Sequence, residues 1–294
     1  MGEHATRSGV RTVAALVDEL ARRLAGVDSP RRDASDLVAA LLDEPKHWAL
    51  VHEGDVVTAG TWRRACDAAD QIAHGMPIAY AVGRASFRQF TLDVDERVLI
   101  PRPETELIVD LVLERCARGG TVVDVGTGSG AIAIALAVEG DFDCVVGTDI
   151  SSDALDVARA NATRYAARAR CGVTFAEGDL LSPFAIHPSL HVVVSNPPYI
   201  SFSEIAELPV AVRNWEPGIA LLSAGDGMTV TRRLIGQAAD RLAGGGLLAM
   251  EVDARRALLV AELVASDARY HGIRVHLDLT GRERFVLATR TELS

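Results

Sequence analysis

Thr121-Val122-Val123-Asp124-Val125-Gly126-Thr127-Gly128-Ser129-Gly130 is a β-branched run that ends in three alternating glycines and leads into Ala131-Ile132-Ala133-Ile134. The run reads as a buried strand. The glycines read as a sharp turn that lets a ligand approach the backbone before a helix begins. Outward from this stretch the alternation continues. Strands are expected at 121–125, 144–149, 172–176, 191–195, 246–251, 272–278 and 283–289, with helices at about 129–138, 152–168, 226–242 and 254–265. Such alternation implies a mostly parallel sheet covered on both faces. The last two strands are joined only by Leu279-Thr280-Gly281-Arg282. A parallel crossover needs a dozen or more residues, so these two pair antiparallel. The expected fold is therefore α/β and Rossmann-like, with seven strands of which one is antiparallel.

Upstream the pattern differs. Val13, Leu16, Val17, Leu20 and Leu24 recur at helical spacing before Gly26, and Ser29-Pro30 reads as the cap and first turn of a second helix carrying Leu37, Val38, Leu41 and Leu42. A third helix is expected from about Thr61 to Gly75. Residues 1–84 thus read as a small helical bundle. Phe90, Leu92 and Val94 alternate with polar residues, and Val98-Leu99-Ile100 follows Asp95-Glu96, so 85–100 reads as a two-stranded hairpin linking the bundle to a domain at 101–294.

The totals restrict the function. A chain of 294 residues with 49% hydrophobic and 24% charged residues is of ordinary globular composition. A net charge of −10 argues against holding duplex nucleic acid by phosphate contacts, and Arg22-Arg23, Arg31-Arg32 and Arg63-Arg64 read as solvated helix faces. Cys66, Cys116, Cys144 and Cys171 form no C-x-x-C pair, and His187 and His191 are separated by Pro188, so no metal site is expected. No apolar run approaches the ~18 residues of a membrane span, and the N-terminus has no apolar signal core. A cytoplasmic monomer that touches neither membrane nor nucleic acid is expected.

With Ala131 the glycine loop also satisfies the G-x-G-x-x-A spacing of a dinucleotide site, and Asp149 at the end of the second strand suits a ribose hydroxyl in either case. Asp124 separates the two readings. A carboxylate beside the loop repels a pyrophosphate but suits an ammonium or sulfonium, and S-adenosylmethionine carries both. Asp179 and Leu180, after the third strand, offer a carboxylate and an apolar side chain for its adenine.

Asn196-Pro197-Pro198-Tyr199 follows the fourth strand. The prolines fix φ, lack N–H donors and keep the backbone extended, so the segment offers a side-chain amide, free carbonyls and an aromatic ring. That is an acceptor-rich clamp for a group carrying N–H. The motif resembles that of class I S-adenosylmethionine-dependent amino-methyltransferases. Pro77 to Gly83, Val98 to Glu106, Asn196 to Ile200, Glu216-Pro217 with Ala220-Leu221, Gly225-Asp226-Gly227 and Asp278 to Arg284 are similar to the release-factor glutamine N5-methyltransferases, called PrmC or HemK. Glu251-Val252-Asp253 departs from the pattern, which has a glycine where Asp253 stands.

The resemblance implies a cofactor, S-adenosylmethionine, held by Asp124, Gly126, Thr127, Gly128, Ser129, Gly130, Asp149, Ile150, Asp179, Leu180 and Asn196. It implies as substrate the glutamine of a Gly-Gly-Gln loop in peptide chain release factors, docked in part by the helical bundle. Catalysis would rest on Asn196, Pro197 and Tyr199, with Pro198, Glu104 and Thr105 also lining the substrate site. The competing readings are an adenine-N6 or other nucleic-acid methyltransferase, an NAD-linked oxidoreductase, and a cofactor-binding scaffold without activity. The first would be expected to carry a basic recognition region. The second leaves the clamp unexplained, and the intact clamp argues against the third.

Overall fold

The computed structural model describes residues 11–116, 118–184 and 189–292. His187, Pro188 and the first ten residues of the expected bundle lie outside them. The chain divides into two units, one ending at Arg84 and taking in Val210–Trp215, the other made of Ala85–Pro209 and Glu216 onward.

In the first unit the three expected helices are Val13–Arg23, Pro30–Leu42 and Ala59–Ala73, with short helices at Trp48–Val51 and Ile78–Val82. Val13, Leu16, Val17 and Leu20 form one buried stripe, as their spacing demands. Thr12 and Thr58 cap two of the helices, their hydroxyls accepting from Ala15 N at 3.2 Å and Thr61 N at 3.0 Å. Ser29 makes no side-chain cap, and the second helix starts on Pro30 alone.

The second unit opens with a hairpin of β1 (Arg84–Phe87) and β2 (Phe90–Asp93). Val98-Leu99-Ile100, expected as its second strand, is not one. Arg88 takes a left-handed φ of 51°, and the chain reverses before Phe90 rather than after Val94.

 Arg88 and Gln89 alone connect the two strands. Asp95 to Val98 instead form a turn in which Val98 N donates to Asp95 O at 3.1 Å and Arg97 N to Asp95 Oδ1 at 3.1 Å. Residues 85–100, read as a linker, belong to the second unit, where Phe87, Phe90 and Leu92 are buried in its core.

The main sheet comprises β3 (Thr121–Val125), β4 (Cys144–Asp149), β5 (Val173–Glu177), β6 (Leu190–Ser195), β7 (Leu242–Glu251), β8 (Tyr270–Leu277) and β9 (Glu283–Arg290), in the order β5-β4-β3-β6-β7-β9-β8. Of these seven strands β9 runs opposite to the other six, pairing antiparallel with both β7 and β8. Alternate residues face opposite layers. Val122, Val192, Val194, Leu247 and Phe285 pack in one core with the helices Glu106–Arg115 and Ala131–Glu139. Val123, Val193, Leu248, Met250 and Val286 pack in the other with Thr229–Arg241 and Ala257–Ser266. The chain order reverses at β3, which pairs with β4 on one side and β6 on the other. Ligands of doubly wound sheets bind at such a switch point, beyond the carboxyl ends of the strands.

Candidate active site

Register decides which loops meet. Val125 pairs with Ser195, and Ser195 with Met250. Gly126, Asn196 and Glu251 therefore leave three adjacent strands side by side. Ser195 Oγ donates to Val125 O at 2.7 Å and ties two of those ends together.

The glycine loop divides its work. Gly126, Gly128 and Gly130 have φ of 71°, 53° and 82°, a region costly to residues with a Cβ. A Cβ at Gly126 or Gly128 would meet nothing within 4 Å, whereas one at Gly130 would lie 3.3 Å from Ala158 Cβ. The first two glycines border open space. The third lets two helices approach. Asp124 is 1% exposed and sits beneath the loop, its Oδ2 accepting from Thr127 Oγ1 at 2.6 Å and from Ala133 N at 3.1 Å. Its Oδ1 has no partner, and burial pushes the carboxyl up to about 7. Thr127 and Ser129 are also buried, and Ser129 O accepts from Asn161 Nδ2 at 3.0 Å.

A cavity of about 260 Å³ lies over this loop, walled by Gly126, Gly128, Asp149, Ile150, Leu180 and Asn196, among others. Asp149 accepts from Gly128 N and Ser151 N, each at 3.0 Å, which fixes its carboxylate on the wall, and burial raises its pKa. Ile150 is 54% exposed, an apolar side chain held at the cavity without a protein partner covering it. Asp179, expected to meet an adenine, lies on the wall paired with Arg233 at 2.6 Å. Leu180 has a φ of 56°, and its carbonyl accepts from Thr148 Oγ1 at 3.0 Å. Sequence reasoning did not pick out Val98, Leu99, Ile219 or Val230 as lining residues. The first two read as strand residues by their spacing but lie in and just after the turn that follows β2.

In the clamp, Asn196 and Pro198 line the cavity while Pro197 is buried. Asn196 Nδ2 donates to Thr105 Oγ1 at 3.3 Å, which leaves Oδ1 as the free acceptor of the amide. Thr105 is buried and Glu104 exposed, and neither is on the cavity wall. Tyr199 is half-buried, and desolvation raises its phenol pKa. The loop is pinned from behind. Ile200 N donates to Leu221 O at 3.0 Å and Ser223 N to Ile200 O at 2.8 Å, while Gly227 lies against the Tyr199 carbonyl. Arg102 reaches the buried Glu216 at 2.5 Å, joining two of the stretches that flank the clamp. Asp253 accepts from Arg255 N at 2.7 Å and is not on the cavity wall.

A seven-stranded sheet with one antiparallel strand, a glycine loop at its switch point and an Asn-Pro-Pro-Tyr clamp on the next strand define a class I methyltransferase fold. A solved methyltransferase from Pyrococcus furiosus shares that fold, with a TM-score of 0.50 at 17% identity over 69% of this chain and 89% of its own. Residues 103–210 match the family model described as methyltransferase small domain, and 15–83 match the PrmC N-terminal domain. The release factor glutamine methyltransferase of Gloeobacter violaceus is 42% identical over 78% of each chain. That of Moorella thermoacetica is 39% identical over 96% of this chain and 99% of its own. The chain belongs to the release factor glutamine methyltransferase family.

Proposed function

We infer that the protein transfers a methyl group from S-adenosylmethionine to the side-chain amide nitrogen of the Gly-Gly-Gln glutamine in peptide chain release factors, acting in translation termination in the cytoplasm. The observation that carries this reading is the Asn196 amide held at the edge of the glycine-loop cavity with its oxygen free. The names of the relatives support the same acceptor.

The residues present fit the cofactor. Gly126 and Gly128 leave the loop bare on the cavity side, Asp149 offers fixed carboxylate oxygens to ribose hydroxyls, and Ile150 and Leu180 offer apolar contact to a base. The unpartnered Asp124 Oδ1 places negative potential behind the loop, which favours a cationic ligand. When bound, the cofactor supplies an electrophilic methyl on a sulfonium. An amide nitrogen is a poor nucleophile because its lone pair is delocalised into the carbonyl. Asn196 Oδ1 and the Pro197 carbonyl would each accept one N–H of the substrate amide, favouring a pyramidal nitrogen with its lone pair directed at the methyl. Fixed dipoles and in-line positioning would then carry the catalysis, with the sulfonium departing as a neutral thioether and the amide proton lost to water after transfer. Tyr199 would cover the amide and exclude water.

The test is incubation with labelled S-adenosylmethionine and, separately, a release factor, its Gly-Gly-Gln→Gly-Gly-Ala variant, and DNA. Label is expected in the first alone. Label in DNA, or in the variant at an equal level, would overturn the reading.

A further inference from the structure

Two stretches of the sequence, Pro101 to Glu106 and Asp278 to Arg284, converge beneath the clamp, and Thr105 among them is tied to it through Asn196. Glu251 ends β7 beside Asn196, by the register that pairs Ser195 with Met250. It is 1% exposed, and its Oε2 has no hydrogen-bond partner. A buried carboxylate without full compensation is expensive, so its retention at this point calls for a use. The Thr105 side chain favours its charged form, and Thr105 Oγ1 accepts from Asn196 Nδ2 at 3.3 Å. Arg284 Nη1 stands 3.7 Å from Glu251 Oε1 and is held there by Asp278, whose Oδ2 accepts from Arg284 Nε at 2.9 Å. Asp278 is fixed by Thr280 N at 2.8 Å and Arg282 N at 3.0 Å.

We propose that Glu251 and Thr105 are positioning residues for methyl transfer, a relay that sets which end of the Asn196 amide faces the substrate. The proposal rests on the function inferred above. An ionised Glu251 accepts the Thr105 O–H. The Thr105 oxygen is then an acceptor only, so it takes Asn196 Nδ2 and turns Oδ1 outward. A protonated Glu251 can donate to Thr105 instead, which frees the Thr105 proton for Asn196 Oδ1. The amide would then flip and present N–H groups to a substrate that also carries N–H groups. Arg284, oriented by Asp278, supplies the positive charge that favours the ionised form of Glu251.

The groups facing Glu251 are Arg284 on β9, Arg102 and Glu104 on the segment before Glu106–Arg115, and Tyr199 of the clamp. Burial outweighs the two arginines and pushes the Glu251 carboxyl up to about 7. The sign follows: Glu251 is charged, and the relay correctly set, above that pH, so kcat falls as pH drops through it.

The experiment uses the full chain with a release factor as acceptor. Thr105→Val keeps the shape and removes the hydroxyl. It is expected to lower kcat at least tenfold with the S-adenosylmethionine Kd by calorimetry within threefold of wild type, and Thr105→Ser is expected to restore kcat to within threefold. Glu251→Gln is expected to remove the acid limb of the kcat–pH profile between pH 6 and 8, whatever its remaining rate. A Thr105→Val enzyme with kcat within threefold of wild type, a Thr105→Ser enzyme no better than Thr105→Val, or an acid limb that survives in Glu251→Gln would each overturn the relay. Failure of the wild type itself to label the release factor would instead overturn the functional reading.

Discussion

Gly227 offers a measurable link between backbone geometry and turnover. Its φ is 82°, and a Cβ there would stand 2.4 Å from the Tyr199 carbonyl oxygen. Backbone cannot swing aside as a flexible side chain does. Restoring a tight but real contact of 3.0–3.4 Å moves that carbonyl by about 0.6–1.0 Å. Displacement of about 1 Å at a site built on positioning costs on the order of 10²-fold in rate, or about 2.7 kcal/mol. The left-handed backbone adds about 1–2 kcal/mol of strain, which acts on stability rather than on rate. Gly225 is the control. Its φ is 66°, but its Cβ would meet only Thr229 Oγ1, at 3.6 Å. Gly227→Ala and Gly225→Ala should therefore both lower Tm by a few degrees, while Gly227→Ala alone loses about 10²-fold in kcat. The assays are thermal unfolding and steady-state methyl transfer to a release factor. A folded Gly227→Ala enzyme turning over as fast as Gly225→Ala would refute the claim that the clamp depends on its backing.

Asn196→Ala is expected to lower kcat by about 10²–10³-fold, the cost of removing one preorganised group, with cofactor affinity largely kept in calorimetry; normal turnover would sink the clamp mechanism. Asp149→Ala removes a carboxylate fixed by Gly128 N and Ser151 N. A charged hydrogen bond is worth about 1.5–3 kcal/mol, so the cofactor Kd should rise about 10–100-fold, and an unchanged Kd would refute the assignment. Asp124 governs stability against pH. Its folded carboxyl titrates at about 7, against about 3.9 in an unfolded chain. Between those values the folded state holds a proton that the unfolded state has lost, so stability falls as pH rises through the window. Asp124→Asn should flatten the decline in Tm between pH 5 and 7.5, and an identical slope in both proteins would count against Asp124 as its source.

The strands were legible because most are short β-branched or apolar runs, several of them closed by glycine or an acid, a local signal that survives into the sheet. β3, β4 and the antiparallel β9 needed nothing more. The hairpin was not legible. Phe90, Leu92 and Val94 alternate as a strand should, but the partner lies before them, and what selects it is the turn at Arg88 and Gln89, neither of them a usual turn residue. Nor did spacing reveal that Val210–Trp215 groups with the first unit, since long-range contacts leave no mark on a six-residue helix.

The site divides along the same line. Gly126, Gly128, Asp149 and Asn196 could be picked out because their chemistry is written in their type and in their place at a strand end. Glu251 could not, because its meaning depends on a parallel register that sets Met250 against Ser195. Asp124 shows the limit most clearly. Its charge was read as a partner for a cationic ligand, but the chain puts it beneath the loop, bonded to Thr127 and Ala133. Its first task is to hold the turn, and its effect on a ligand comes through an unpaired oxygen and the field behind the backbone. A buried acid can serve both ends only if ligand binding changes its ionisation. Cofactor binding should then stabilise the protein more at pH 8 than at pH 5, and Asp124→Asn should remove that difference. Equal stabilisation at both pH values in the wild type would confine Asp124 to the turn.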